Sequence, residues 1–227
     1  MESMNSIRKT NITEEELQEV EIEQLSEPVV VIDETTSDTQ LQKIVEEIRH
    51  ADVIGMDTET KPAFKRGVHH KVSLLQVAIP GKVYLFRLPR ILDSEEKRDY
   101  LSFLWSEAPV KVGVGIGDDT KALLSDYKME THNFCELRHL SSAAGIEVLA
   151  LSKIYAVLFN RRLSKAQRLT NWEAPVLSAP QCTYAALDAV AGLKIYVALR
   201  EYMKEEFLAS TVVKPKRRVI KRRRRKV

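Results

Sequence analysis

The chain has 227 residues, 44% of them hydrophobic and 30% charged, enough apolar material for a full core within one α/β domain. Its start, MESMNSIRKTNITEEE, holds no apolar stretch suited to a signal peptide, and no later run reaches the roughly 18 apolar residues of a membrane span. The sequence therefore predicts a soluble intracellular protein with no membrane partner, cytoplasmic, or nuclear if it comes from a nucleated cell. Cys135 and Cys182 are too few for a disulfide framework and lack the short spacing of a zinc site, so both read as core or surface thiols in a reducing compartment.

The net charge of +3 conceals an asymmetry, because the last fourteen residues, KPKRRVIKRRRRKV, hold ten of the 35 Lys and Arg and no acid. Without them the body carries 25 basic against 32 acidic residues, and seven of those acids lie between Glu14 and Glu27. Charge runs of this kind are typical of solvated arms. An acidic N-terminal arm over 1–27 and a basic C-terminal tail over 211–227, both flexible, are expected to flank a folded domain over 28–210.

In chain order, EPVVVIDE reads as a buried strand, and SDTQLQKIVEEIRH as a helix with Leu41, Ile44, Val45 and Ile48 on one face behind a Ser or Asp cap. ADVIGMDTET is a second strand with an apolar start and an acidic end. KVSLLQVAIPGKVYLFRL gives two more around a Pro-Gly turn, completing an antiparallel meander. Residues 93–107 look helical, VKVGVGIG is a short buried strand, and DDTKALLSDY starts a helix with acids at its positive end. From about residue 134 strand signals fade. CELRHLSSAAGIEVLALSKIYAVLF suggests helices ending near the basic segment NRRLSKAQRLTNW. The longest helix is SAPQCTYAALDAVAGLKIYVALREYMKEEF, with Pro180 in its first turn. The alternation is that of an α/β domain, a central sheet flanked by helices with a helical C-terminal half.

Asp57 and Glu59 sit two apart on a strand, so both carboxylates project from one face, where they can share a hard cation. Composition alone yields about one such D-x-E by chance, and Asp93-Ser94-Glu95 is a second copy, opening a helix where acids merely complement the dipole. Asp57 and Glu59 differ in ending an apolar run, Val53, Ile54, Gly55, Met56, and a charge pair there needs an explanation. Tyr184 and Asp188, four apart on a helix, face the same small volume. A structural hydrogen bond at the core's edge is the plain alternative. At the third acidic position Asp118 suits an N-cap and Asp119 points elsewhere, but geometry alone does not choose between them.

Together these segments resemble the DnaQ-like 3′-to-5′ exonucleases of the DEDDy type, in the branch containing RNase D and the Werner syndrome exonuclease domain. The match runs from about Pro28 to Tyr202 through VIGMDTET with KVSLLQVA, then KVGVGIGDDTKALLSDY, then LSAPQCTYAALDAVAGLKIY. The resemblance implies a ribonuclease H-like mixed sheet and selects Asp119 over Asp118. It also implies two divalent cations, Mg or Mn, with Asp57 bridging them, Glu59 and Asp188 completing the water-activating site, and Asp119 helping to hold the second. Thr183 stands where the histidine subtype needs His, five before the last Asp, so Tyr184 marks the tyrosine subtype, its hydroxyl orienting the attacking water.

The implied substrate is DNA or RNA with a free 3′ end. Thr58 and Thr60 are expected near the terminal nucleotide by resemblance. Arg161, Arg162, Lys165 and Arg168 suit a phosphate-lined groove or equally a basic surface segment. His69 and His70 are expected to be solvated, and Trp172 to be a packing anchor. The basic tail suits further nucleic-acid contact, nuclear import, or folding back on the acidic arm. The alternative function is a nucleic-acid-binding module that keeps the fold without hydrolysis.

Overall fold

A computed structural model describes residues 9–92 and 95–214. The elements in chain order are α1 (Glu14–Glu19), β1 (Val29–Ile32), α2 (Asp38–Arg49), β2 (Val53–Thr60), β3 (Val72–Ile79), β4 (Lys82–Phe86), α3 (Leu88–Ile91) and α4 (Glu95–Arg98). A 3-10 helix (Asp99–Leu104) precedes β5 (Val110–Gly113), α5 (Ile116–Tyr127), β6 (Phe134–Glu136), α6 (Leu137–Ala143), α7 (Leu151–Phe159), α8 (Ala179–Arg200), α9 (Glu205–Thr211) and β7 (Val212–Val213). The strands form one mixed sheet in the order β1-β4-β3-β2-β5-β6-β7. β2, β3 and β4 are the expected antiparallel meander, while β5 lies parallel to β2 and β6 parallel to β5.

Alternation along β2 decides which side of the sheet each helix covers. Ile54 and Met56 face a core shared with α2, the 3-10 helix and α5, whereas Gly55, two residues before Asp57, lies directly beneath α8. A Cβ on Gly55 would stand 2.0 Å from the carbonyl oxygen of Ala189, so the helix rests on the strand backbone itself. Ala185, Ala186 and Ala189 keep that approach close. Around the helix, Leu187, Ala191, Ile195 and Leu199 meet residues of α6 and α7. α8 starts cleanly because Ser178 and Gln181 form a capping box. By length and composition α8 is apolar enough to cross a membrane, contrary to the expectation that no segment reaches that limit, but these apolar residues pack within the domain.

Other expectations change in ways with physical causes. The long terminal helix breaks after Arg200, and β7 then pairs with β6, so the folded domain extends past 210 into the expected tail. Of the expected helix over 93–107, the described residues from 95 onward form α4 and a 3-10 helix, and α5 begins at Ile116 behind Gly115, whose φ of 81° ends the approach to the helix. Asp118 therefore lies inside the first turn and is not the N-cap.

The acidic arm is not a free chain from residue 9 onward. Thr13 and Glu16 cap α1 reciprocally, and Ile12 and Leu17 bury against Ala156 of α7. Glu23 accepts a hydrogen bond from the Tyr155 hydroxyl at 2.7 Å, and Lys153 pairs with Glu14. Residues 215–227, most of the basic tail, lie outside the described residues.

Candidate active site

Asp57 and Glu59 emerge at the C-terminal end of β2 on the α8 face, Asp119 comes from the first turn of α5, and Tyr184 and Asp188 come from α8. The structure brings all five together. The carboxyl of Asp57 is raised well above its ordinary range, first by desolvation and then by the negative charges of Asp119, Asp188 and Glu59. Glu59 is pushed up to about 8 by desolvation, then by Asp188 and Asp119, with Arg168 opposing. Asp188 rises to about 7 through desolvation, while a hydrogen bond from Tyr184 holds it back. Asp119 rises to about 6, again mainly through desolvation, with the Thr58 hydroxyl donating to it and lowering the shift. Tyr184 itself is driven up by desolvation and by the surrounding acids, so its hydroxyl stays protonated.

This arrangement separates Asp119 from its neighbour. The Asp118 side chain is 83% exposed and pairs with Lys121 at 2.8 Å, an ordinary surface contact. Among the described residues, no three Asp, Glu, His or Cys side chains are already drawn up around one point. Instead Asp119 is turned to Thr58 and Asp188 to Tyr184. The donor set is nonetheless all carboxylate oxygen, the chemistry that suits a hard divalent cation.

The basic candidates divide. Arg161 pairs with Glu21 while staying exposed, and Arg162 donates to the Val20 carbonyl at 2.9 Å while its backbone bridges Ile22, so both contact the arm. Arg168 is exposed and acts on Glu59, and Lys165 is exposed. Thr58 is part-buried on Asp119, and Thr60 is exposed past the register break at Glu59.

The loop 61–71 differs from expectation at His70. His69 is largely solvated as expected, its side chain 73% exposed with a contact to Asp126 at 2.9 Å, while His70 is only 25% exposed and lies 3.8 Å from Glu173. Lys61 joins the same Glu173 at 3.1 Å, which ties this loop to the segment before α8. These loop contacts of Glu173 and Asp126 were not legible in the sequence, since nothing in their local sequence marks them. Trp172 is buried as a packing anchor, with its ring 6.0 Å from that of Tyr184.

A family model described as 3′-5′ exonuclease matches residues 32–204. The mouse exonuclease 3′-5′ domain-containing protein 2 is 32% identical over 188 residues, covering 78% of this chain and 29% of that protein. The mouse bifunctional 3′-5′ exonuclease/ATP-dependent helicase WRN is 31% identical over 153 residues, covering 65% of this chain and 11% of that protein. The chain thus spans less than a third of either relative's length. Among solved structures, the Nibbler EXO domain of Aedes aegypti superimposes with a TM-score of 0.69 at 19% identity, covering 79% of this chain and 92% of that one. RNase D of Escherichia coli does so with a TM-score of 0.65 at 21% identity, covering 77% and 45%. With an α/β fold shared with these structures and a family model matching most of its length, the chain belongs to the 3′-5′ exonuclease family.

Proposed function

We propose that the chain hydrolyses phosphodiester bonds from the 3′ end of DNA or RNA and releases nucleoside 5′-monophosphates, using two divalent cations, Mg or Mn. The observation that carries this reading is the crowding of four carboxylates from three elements, each raised by burial and three of them bearing on Asp57. Such a cluster is unfavourable on its own and is relieved by positive charge. Asp57, Glu59, Asp119 and Asp188 would hold the cations. Bound there, divalent cations supply a water nucleophile at neutral pH and stabilise charge on the departing 3′ oxygen.

The chain's own residues supply placement. Tyr184 keeps its proton, so it is no general base; its hydroxyl donates to Asp188, and its oxygen lone pairs can accept from the attacking water and aim it. The Trp172 ring backs the Tyr184 ring, and the Thr58 hydroxyl steadies Asp119. The 3′ strand approaches between loop 61–71 and the segment before α8, where Lys65, Arg66 and Arg168 are exposed and can meet phosphates. Phe64, 82% exposed, offers a face for base stacking on the same loop. The basic tail adds a sequence-independent attraction.

The test is single-turnover digestion of 5′-labelled single-stranded oligonucleotides, as DNA and as RNA, with Mg or Mn. Wild type gives a ladder shortening from the 3′ end and Asp57→Ala gives none. A ladder that persists in Asp57→Ala, or no ladder with either protein, sinks the mechanism; in the second case, retained oligonucleotide binding would indicate a binding module.

A further inference from the structure

We infer that Gln76 is a positioning residue for Asp57, its buried side-chain amide standing ready to hydrogen-bond that carboxylate while the carboxylate holds a cation. The inference rests on the exonuclease reading above for the cation, and on independent observations for the residue. Gln76 lies on β3 directly opposite Asp57 on β2. Opposed residues of an antiparallel pair point to the same face, with Cβ atoms roughly 4.5–5.5 Å apart. One step back along the same face, Gly55 stands opposite Ala78 beneath α8, which places Gln76 under that helix too.

Gln76 is 0% exposed, and neither its Nε2 nor its Oε1 has a hydrogen-bond partner among the described residues. A buried amide without partners is destabilising, and its neighbours along the strand show what a purely structural residue would be there, since Leu74 and Ala78 fill this face with apolar groups. Of the two residues that oppose Gln76 across the sheet, Asp57 and Leu85, only Asp57 is polar. An ionised carboxylate has about four lone-pair sites, so Asp57 can accept from the Nε2–H of Gln76 and still ligate. Partners of this kind fix the orientation of a ligand and tune its affinity.

Gln76→Leu and Gln76→Met keep the side-chain size and remove the amide. In protein stripped with EDTA, both variants melt at or above the wild-type temperature, because a partnerless polar group has gone. Calorimetric titration with Mn2+ gives a Kd raised roughly 10- to 100-fold. Single-turnover cleavage of a 5′-labelled single strand is slow at limiting Mn2+ and recovers as Mn2+ is raised. Wild-type Mn2+ affinity in both variants overturns the inference, as does failure of both to fold, which would make the amide structural, or a wild type that binds no Mn2+. The exonuclease reading is judged separately. A wild type that cleaves nothing but binds Mn2+ in a Gln76-dependent way sinks that reading and keeps this one, whereas an active wild type with indifferent variants does the reverse.

Discussion

Replacing Glu59 by Gln should stabilise the cation-free protein at alkaline pH and leave it unchanged near pH 4. The carboxyl of Glu59 moves from an ordinary 4.5 to about 8 in the fold. Between those values the folded state binds more protons than the unfolded state, so stability falls as pH rises through the window and stays lost above it. At about 1.4 kcal/mol per pH unit the full span corresponds to roughly 5 kcal/mol, an upper limit because Asp57, Asp119 and Asp188 share the field and water reaches the site. Half of that, about 2–3 kcal/mol, amounts to roughly 5–10 °C in Tm for a chain of this length. Asp188, raised to about 7, and Asp119, raised to about 6, act with the same sign over windows that start near 3.8.

Buried Lys111 acts with the opposite sign at higher pH. Lowered to about 8 by desolvation, it makes stability rise between there and its ordinary 10.5. The difference between wild type and Glu59→Gln removes this contribution, so the quantity to follow is that difference in Tm, measured in EDTA from pH 4 to pH 9. Added Mn2+ at pH 8 should raise the wild-type Tm more than that of the variant, since the cation relieves the repulsion that the substitution has already removed. A difference in Tm that does not vary with pH would refute the reasoning, because the four carboxylates would then not be crowded in the folded state.

Gly55→Ala places a methyl group 2.0 Å from the Ala189 carbonyl and must push α8 off β2; we expect a loss of about 1–3 kcal/mol in thermal unfolding and a fall in kcat out of proportion to KM, as Tyr184 and Asp188 move from Asp57. Leu17→Ala empties a contact of the arm with α7 and should cost about 2–4 kcal/mol, whereas an unchanged Tm would mean the arm adds nothing to the fold. Removal of residues 215–227 should weaken oligonucleotide binding and flatten its dependence on salt while leaving Mn2+ affinity alone, which anisotropy titrations across salt concentrations would check.

The parts of the fold legible in the sequence were those in which local pattern and tertiary role coincide. The β2–β4 meander follows from apolar runs separated by a Pro-Gly turn, and α8 from its Ser178 cap and length. β6 and β7 were not legible, because three residues and two residues carry no periodicity and are strands only through pairing with each other and with β5. The same division holds in the site. Asp57 with Glu59 and Tyr184 with Asp188 are local pairs whose spacing sets a shared face, while Glu173 and Gln76 gain meaning only from what lies across a loop or a strand pair.

The basic segment makes the limit concrete. Arg161, Arg162, Lys165 and Arg168 form one run in the sequence and suggest one job, yet composition does not say which of them has a partner elsewhere in the chain. The arm hydrogen-bonds two of the side chains: Glu21 pairs with Arg161, and the Val20 carbonyl accepts from Arg162. The acids at 14–27 were readable as a solvated arm and the bases at 161–168 as a phosphate groove or a basic surface segment, but the contact between the two runs was not, because the partners lie some 140 residues apart. Arg168, exposed and the closest of the run in sequence to α8, is the cation that opposes the raised carboxyl of Glu59. A uniform stretch of charge is thus divided by the fold, Arg161, Arg162 and Lys165 bearing on the arm through Glu21, the Val20 carbonyl and Glu14, and Arg168 on Glu59 in the carboxylate cluster.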